Sequence, residues 1–412
     1  MIRSQHQAPH QAPWTNTTLS VMTRRYACPT GGRPVKPLVR PQLAPAQTPG
    51  IGTSRSSTRG GNRPAGGRHR RLRCRGVRAR PPDLSDAAVL EALAEGWHIS
   101  PEAWAYVPEG GGSHHWKVTD AQGAAYFVTV ADLDEQDWLG RTRDEVFGGA
   151  GRALRTATAL RDSAGLRFVV APLATSDRGV IKRLGSRYAM SVYEFLAARS
   201  FAFGPYPSPA LRRAVLDMVI ALHQATGAVE AVAVTCAPAV GHREDLDEFL
   251  RDPTQRWDAG PFSEGAQQIL GAHSAELAEV VAGFDDLVER TAPAGRSLVV
   301  THGEPHPANV MRVGYDVVLI DWDTVGLARP ERDLWLVVEE GTGDSDRYEA
   351  ASGRRVDPAA MTLYRLRWYL DDIASAIRLF RHGHDRTADT EGWWEGLAPR
   401  VDALASWRHA LG

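Results

Sequence analysis

Of the chain's 412 residues only three are cysteine: Cys28, Cys74 and Cys236. They are scattered and odd in number, which excludes a disulfide framework and a cysteine zinc centre and points to a reducing, cytoplasmic setting. No apolar run is long enough to span a bilayer, so no membrane partner is expected. Lysine is almost missing: Lys36, Lys117 and Lys182 stand against 45 arginines among 48 basic residues. No internal repeat marks a solenoid or propeller. Acid is nearly absent from the front of the chain. Residues 1–84 hold 16 Lys/Arg and the single acid Asp83.

Of the chain's 48 bases and 49 acids, the rest therefore carries 32 and 48, a net charge of −16. An acidic body suits a cationic small molecule and argues against nucleic acid as the partner of the folded part. Residues 1–82 are rich in Arg, Gly, Pro and Ser and show no period of 2 or 3.6, which predicts a disordered basic extension. The reading preferred for it is an inert tail, or sequence upstream of a true start near Val77. RNA or anionic-surface binding by Arg63–Arg80, or a targeting peptide, are the functional alternatives.

Folded sequence is expected from residue 83. Ser85 is an N-cap for a helix Asp86–Glu95 closed by Gly96. Ala103–Val107, His115–Thr119 and Tyr126–Val130 alternate like strands, the last two joined by an Asp120…Gly123 turn. A helix over Arg143–Ser163 follows, then strands at Phe168–Ala171 and Arg187–Phe195. This gives five antiparallel strands with one helix after the third, over residues 83–196. Residues 197–412 read as mostly helical. Ser208-Pro209 opens one helix whose stripe is Leu211, Val215, Met218 and Leu222. A second runs over Glu264–Arg290. Asp357-Pro358 opens a third carrying Leu363, Leu366, Leu370, Ile373, Ile377 and Phe380. The fold class is α+β and bilobal.

One short β-rich island interrupts the helices: a strand ending at Thr301, the loop His302-Gly303-Glu304-Pro305-His306-Pro307-Ala308-Asn309, and a hairpin ending in Ile320-Asp321-Trp322-Asp323. A carboxylate and an amide five residues apart, with a second carboxylate closing the next strand, are the parts phosphoryl transfer needs. Glu304 is the candidate base. Asn309 and Asp321 are candidate Mg2+ ligands. His302 is read as a buttress of the loop, and the two prolines as stiffeners. His302, Glu304 and His306 are also zinc-ligand types, but their spacing is not helical and two prolines forbid a regular helix, so no zinc centre is expected.

The loop and the Ile320-Asp321 pair resemble the aminoglycoside phosphotransferase and choline kinase family, whose pattern is His-x-Asp, four residues, Asn, then Ile-Asp. Ile320-Asp321-Trp322-Asp323 and Glu331-Arg332-Asp333-Leu334 are similar to its spectinomycin phosphotransferase branch. The resemblance implies a protein-kinase-like fold, ATP (or GTP) between two lobes, and a small-molecule acceptor. It also implies that Gly110, Gly111, Gly112 and Ser113 cover the phosphates. Two departures stand out. Glu304 replaces the family's Asp, and Thr129 stands where its third strand carries the phosphate-pairing lysine. Lys117, on the second strand, is the candidate substitute for that charge, the alternative being an ordinary solvent-facing strand residue. On the acceptor side, Trp368 and Asp372 share a helical face at i, i+4, and Asp323 is a further cleft candidate. The rival to a small-molecule kinase is a pseudokinase that binds nucleotide or partners without turnover, favoured by Thr129 and Glu304 and opposed by the intact Asn309 and Asp321.

Overall fold

A computed structural model describes residues 80–81, 83–108, 113–292 and 298–411. Residues 1–79 and 82 of the basic extension, and Gly110–Gly112, lie outside the described residues. The described chain opens on helix α1 (Asp86–Trp97), capped by the Ser85 hydroxyl as the sequence predicts. Gly96 sits inside this helix, and it is His98 that turns left-handed at its end (φ 56°).

Five strands follow: β1 (Pro101–Val107), β2 (Ser113–Asp120), β3 (Ala125–Asp132), β4 (Lys182–Leu184) and β5 (Tyr188–Glu194). They form one antiparallel sheet in the order β1-β2-β3-β5-β4. The fourth strand is not Phe168–Ala171. That segment instead joins the later island, with Val170 N–H donating to Leu319 O (3.1 Å) and Leu319 N–H to Phe168 O (2.8 Å). The true fourth strand has three residues, two of them charged, too few for a period of 2 to register. Helix α2 (Arg143–Asp162) lies between β3 and β4 and begins on a Thr142/Glu145 capping box.

The alternation of β2 and β3 divides the sheet into two faces. Trp116, Val118, Val128 and Val130 turn to one side, buried with Val89 and Leu93 of α1. Trp116 donates its indole N–H to Asp86 (2.8 Å), and Lys182 pairs with Glu95 (2.8 Å). The register then lays out the other face in rows: His115–Thr129–Ser191 and Lys117–Phe127–Tyr193 stand directly across the strands.

The remaining elements are mostly helical. They are α3 (Pro209–Gln224), α4 (Arg243–Arg251), α5 (Ser263–Ala272), α6 (Ser274–Arg290), α7 (Glu331–Val337), α8 (Asp344–Ser352), α9 (Pro358–Arg381), α10 (Ala388–Asp402) and α11 (Leu404–Leu411). The predicted stretch Glu264–Arg290 breaks at His273 into α5 and α6. The α9 stripe Leu363, Leu366, Leu370, Ile373, Ile377 and Phe380 is wholly buried, at the centre of a core with α4, α5, α6, α10 and α11. Between α6 and α7 lie β6 (Val299–Thr301), β7 (Val310–Val313), β8 (Asp316–Leu319) and β9 (Gly326–Ala328), paired as β6-β9 and β7-β8. A sheet lobe and a helical lobe are the α+β, bilobal architecture expected. No helix among the described residues is long and apolar enough to cross a membrane.

Candidate active site

The loop from Thr301 to Asn309 is held by a buried carboxylate. Asp333, in α7 and fully buried, accepts the backbone N–H of His302 (2.9 Å) and of Gly303 (2.6 Å). It also accepts the His223 Nε2 proton from α3 (3.1 Å), and His223 Nδ1 meets the Tyr348 hydroxyl of α8 (2.9 Å). Burial raises the Asp333 carboxyl, but these donors and the Arg332 charge outweigh it and hold the group below its ordinary value. Gly303 is required twice over. Its φ is +100°, and a Cβ there would meet the Arg332 guanidinium at 2.5 Å. That guanidinium is fixed by Thr301 Oγ1 (2.8 Å) and Thr324 O (2.9 Å).

His302 is completely buried and acts as the buttress. Its Nδ1 accepts from Glu304 N–H (3.2 Å), so Nε2 carries the proton and donates to Ile320 O (2.9 Å). One ring thus ties the loop to the end of the β7-β8 hairpin, with Trp322 packed edge-on at 4.5 Å. Both nitrogens are committed, which leaves no lone pair for zinc. Burial holds its pKa down, at about 4.

Glu304, Asn309 and Asp321 are brought together. The Asn309 amide donates to Glu304 O (3.1 Å), and Ile320 N–H, one residue before Asp321, donates to Asn309 O (3.0 Å). Asp321 is a non-glycine residue at φ +67°, a backbone state that Asp tolerates better than most. The enclosing protein and then the Glu304 charge push its carboxyl up to about 6. Asp323 is raised well above its ordinary value by the same enclosure and by Asp321 and Glu304. Glu304 goes the other way. Its surroundings disfavour the charge, but His306 chiefly, with His302 and Arg367, brings it down to about 2.

The sheet looks onto this cluster. Tyr193 of β5 has its phenol raised by burial and further by the charges of Asp321 and Asp323. The face carrying His115, Lys117, Thr129 and Tyr193 is therefore the one turned toward the loop. Thr129 Oγ1 bonds His115 Nδ1 (3.2 Å), and Lys117 is exposed with Nζ 4.2 Å from the Phe195 ring. Ser113, first residue of β2, is buried beside Gln136 (3.5 Å). Of the two acids that begin α2, Glu145 closes the capping box and Asp144 pairs with Arg183.

Two acceptor-side residues lie in packed surroundings. Asp372 is buried and bonded to Arg400 of α10 (3.2 Å) inside the helical core. Trp368 is 8 % exposed and stands behind the loop, stacked on Phe203 and edge-on to His306 and Trp335. Asp323 does lie with the cluster. Sequence reasoning missed Asp333 and His223 as loop anchors. Asp333 lay in view, inside the Glu331–Leu334 motif, but its contacts are 30 and 31 residues away.

Among the described residues no three His, Cys, Asp or Glu side chains surround one point. Asn309 and Asp321 offer two hard oxygens, a set that fits magnesium when phosphate oxygens and water complete its shell. Burial chiefly, and neighbouring carboxylates in addition, raise Asp321 and Asp323, and a divalent cation would relieve the added negative charge.

Comparison with known proteins shows the fold and the family. Spectinomycin phosphotransferase APH(9)-Ia, crystallised with ADP and spectinomycin, superposes with a TM-score of 0.61 at 17% identity, covering 80% of this chain and 99% of that one. A microcompartment-associated aminopropanol kinase superposes at 0.52 and 12% identity, covering 80% and 99%. Protein StrN of Streptomyces griseus is 35% identical over 104 residues, 25% of this chain and 29% of StrN's length. The family model of the phosphotransferase enzyme family matches residues 104–369, which is most of the described chain and contains the loop, the hairpin and the rows of the sheet. The chain belongs to this phosphotransferase enzyme family and has its kinase-like fold.

Proposed function

We propose that this phosphotransferase moves the γ-phosphoryl group of ATP, or of GTP, to a hydroxyl of a small cationic acceptor such as an aminocyclitol or amino alcohol. The observation that carries the reading is the meeting of Glu304, Asn309 and Asp321 opposite the Tyr193 face of the sheet. The nucleotides in the APH(9)-Ia crystals support the donor. The net charge of −16 outside residues 1–84 supports a cationic acceptor.

Glu304 orients the attacking hydroxyl and takes its proton. A carboxylate held at about 2 is always ionised near neutrality but is a weak base. That suffices, because a loose phosphoryl-transfer transition state asks more of positioning than of basicity. Asn309 and Asp321 would hold Mg2+, which neutralises the phosphate charge when bound. Gly110–Ser113 would cover the phosphates. Lys117, on the cleft face two residues from His115, would supply the charge that Thr129 lacks.

Incubation with Mg-ATP and a panel of aminocyclitols and amino alcohols tests the reading. Acceptor-dependent ADP release that disappears in Asp321→Ala is expected. Measurable ATP binding with no turnover on any acceptor would replace it with the pseudokinase reading. Lys117→Met is expected to weaken ATP binding at least tenfold, and unchanged affinity would remove Lys117 from the site.

A further inference from the structure

The loop carries a second histidine that the proposed chemistry has not used. His306 is 5 % exposed. Its Nε2 lies 3.6 Å from Glu304 Oε2, a contact just longer than a hydrogen bond. Its Nδ1 is buried and has no hydrogen-bond partner among the described residues. Phe203 meets the ring edge-on at 4.8 Å and Trp368 at 5.9 Å, with Trp335 packed behind Trp368. The backbone of His306 is pinned as well, donating to Glu304 O (2.8 Å) and accepting from Asn309 N–H (2.9 Å). This ring is thus locked by aromatic walls and presents its polar edge to Glu304.

Glutamate has one more methylene and one more rotatable bond than aspartate. A base on the longer stem must be restrained, because misplacement by about 1 Å can cost 10²-fold in rate. We propose that His306 is the positioning residue of Glu304, its imidazole clamping the longer carboxylate in line with the acceptor hydroxyl and held in turn by Phe203 and Trp368. The proposal rests on the reading of Glu304 as the base. It gives Trp368 a place in the site without contact to substrate.

The test uses the full chain and reads ADP release with the fastest acceptor of the panel or, where none turns over, with water as acceptor. His306→Leu is expected to lower kcat about 10²-fold while KM for ATP and acceptor and the melting temperature change little. His306→Gln, whose amide nitrogen reaches the Nε2 position, is expected to recover most of the loss. In Glu304→Asp the shorter carboxylate is beyond the clamp, so adding His306→Leu should cost less than threefold more. A crystal structure of His306→Leu should show the Glu304 carboxylate displaced, whatever the turnover. The proposal is overturned by wild-type kcat in His306→Leu, by no recovery in His306→Gln, by additive losses in the double variant, or by an unmoved Glu304. Glu304→Gln separates the two levels. If it retains wild-type kcat, the base reading falls and takes the clamp with it. If it is inactive while His306→Leu is not, only the clamp falls.

Discussion

His302 shows how a single side chain can tie two segments together. Its two ring nitrogens close a link between the loop and the hairpin, and its burial makes the neutral ring the folded state's form. The unfolded chain's histidine titrates near 6.5 and the folded one near 4. Between those values the unfolded state binds a proton that the folded state refuses. Its contribution to stability is therefore fully present above pH 6.5 and is lost as pH falls toward 4, by about 3 kcal/mol from this residue. Urea midpoints at pH 7 and pH 5 should reveal the drop, and His302→Gln should flatten it while lowering the pH 7 midpoint. An identical slope in that variant would assign the effect elsewhere. Gly303 is the second residue whose identity is dictated locally. Gly303→Ala combines a left-handed backbone with a clash against a pinned guanidinium and should cost about 1–3 kcal/mol and most of kcat. Thermal melts with ADP-release assays would measure both.

At the scale of elements, α9 does two jobs. Its buried stripe organises the helical core, and its first turn is tied to the segment around α7 that anchors the loop. Asp357 caps α9 through Ala359 N–H (2.9 Å) and pairs with the nearly buried Arg329 (2.8 Å). Asp357→Ser keeps a cap and loses the ion pair, whereas Asp357→Ala loses both. The alanine variant should therefore be the less stable of the two by about 1 kcal/mol, read from melting temperatures. Equal destabilisation would mean that the cap contributes nothing. Elements with a long period were legible: α3 and α9 open at Pro209 and Pro358, where their caps and stripes place them. The short ones were not. Nothing local distinguishes Phe168–Ala171, which bonds to the hairpin, from Lys182–Leu184, which completes the sheet. Strand pairing is a contact between distant segments, and three residues carry too few alternations to announce it.

For the molecule as a whole, the relevant quantity is charge: a net −16 outside residues 1–84. An acidic body should draw a cationic acceptor through a field that salt screens. Raising ionic strength from about 0.05 to about 0.5 M should increase KM for a dicationic aminocyclitol several-fold and leave kcat nearly unchanged. A salt-independent KM would discard the electrostatic argument for a cationic acceptor. The two-part architecture, the loop with Glu304 and Asn309, and Asp321 at the end of the following hairpin could be read from the chain alone, because period, caps and a short motif are written in neighbouring residues. The folded molecule was needed to learn which face of the sheet looks on the loop, that Asp333 and His223 anchor it, that Asp372 bonds Arg400, and that Trp368 backs His306. Those outcomes depend on side chains tens of residues apart competing for the same partners, a competition settled when the lobes pack.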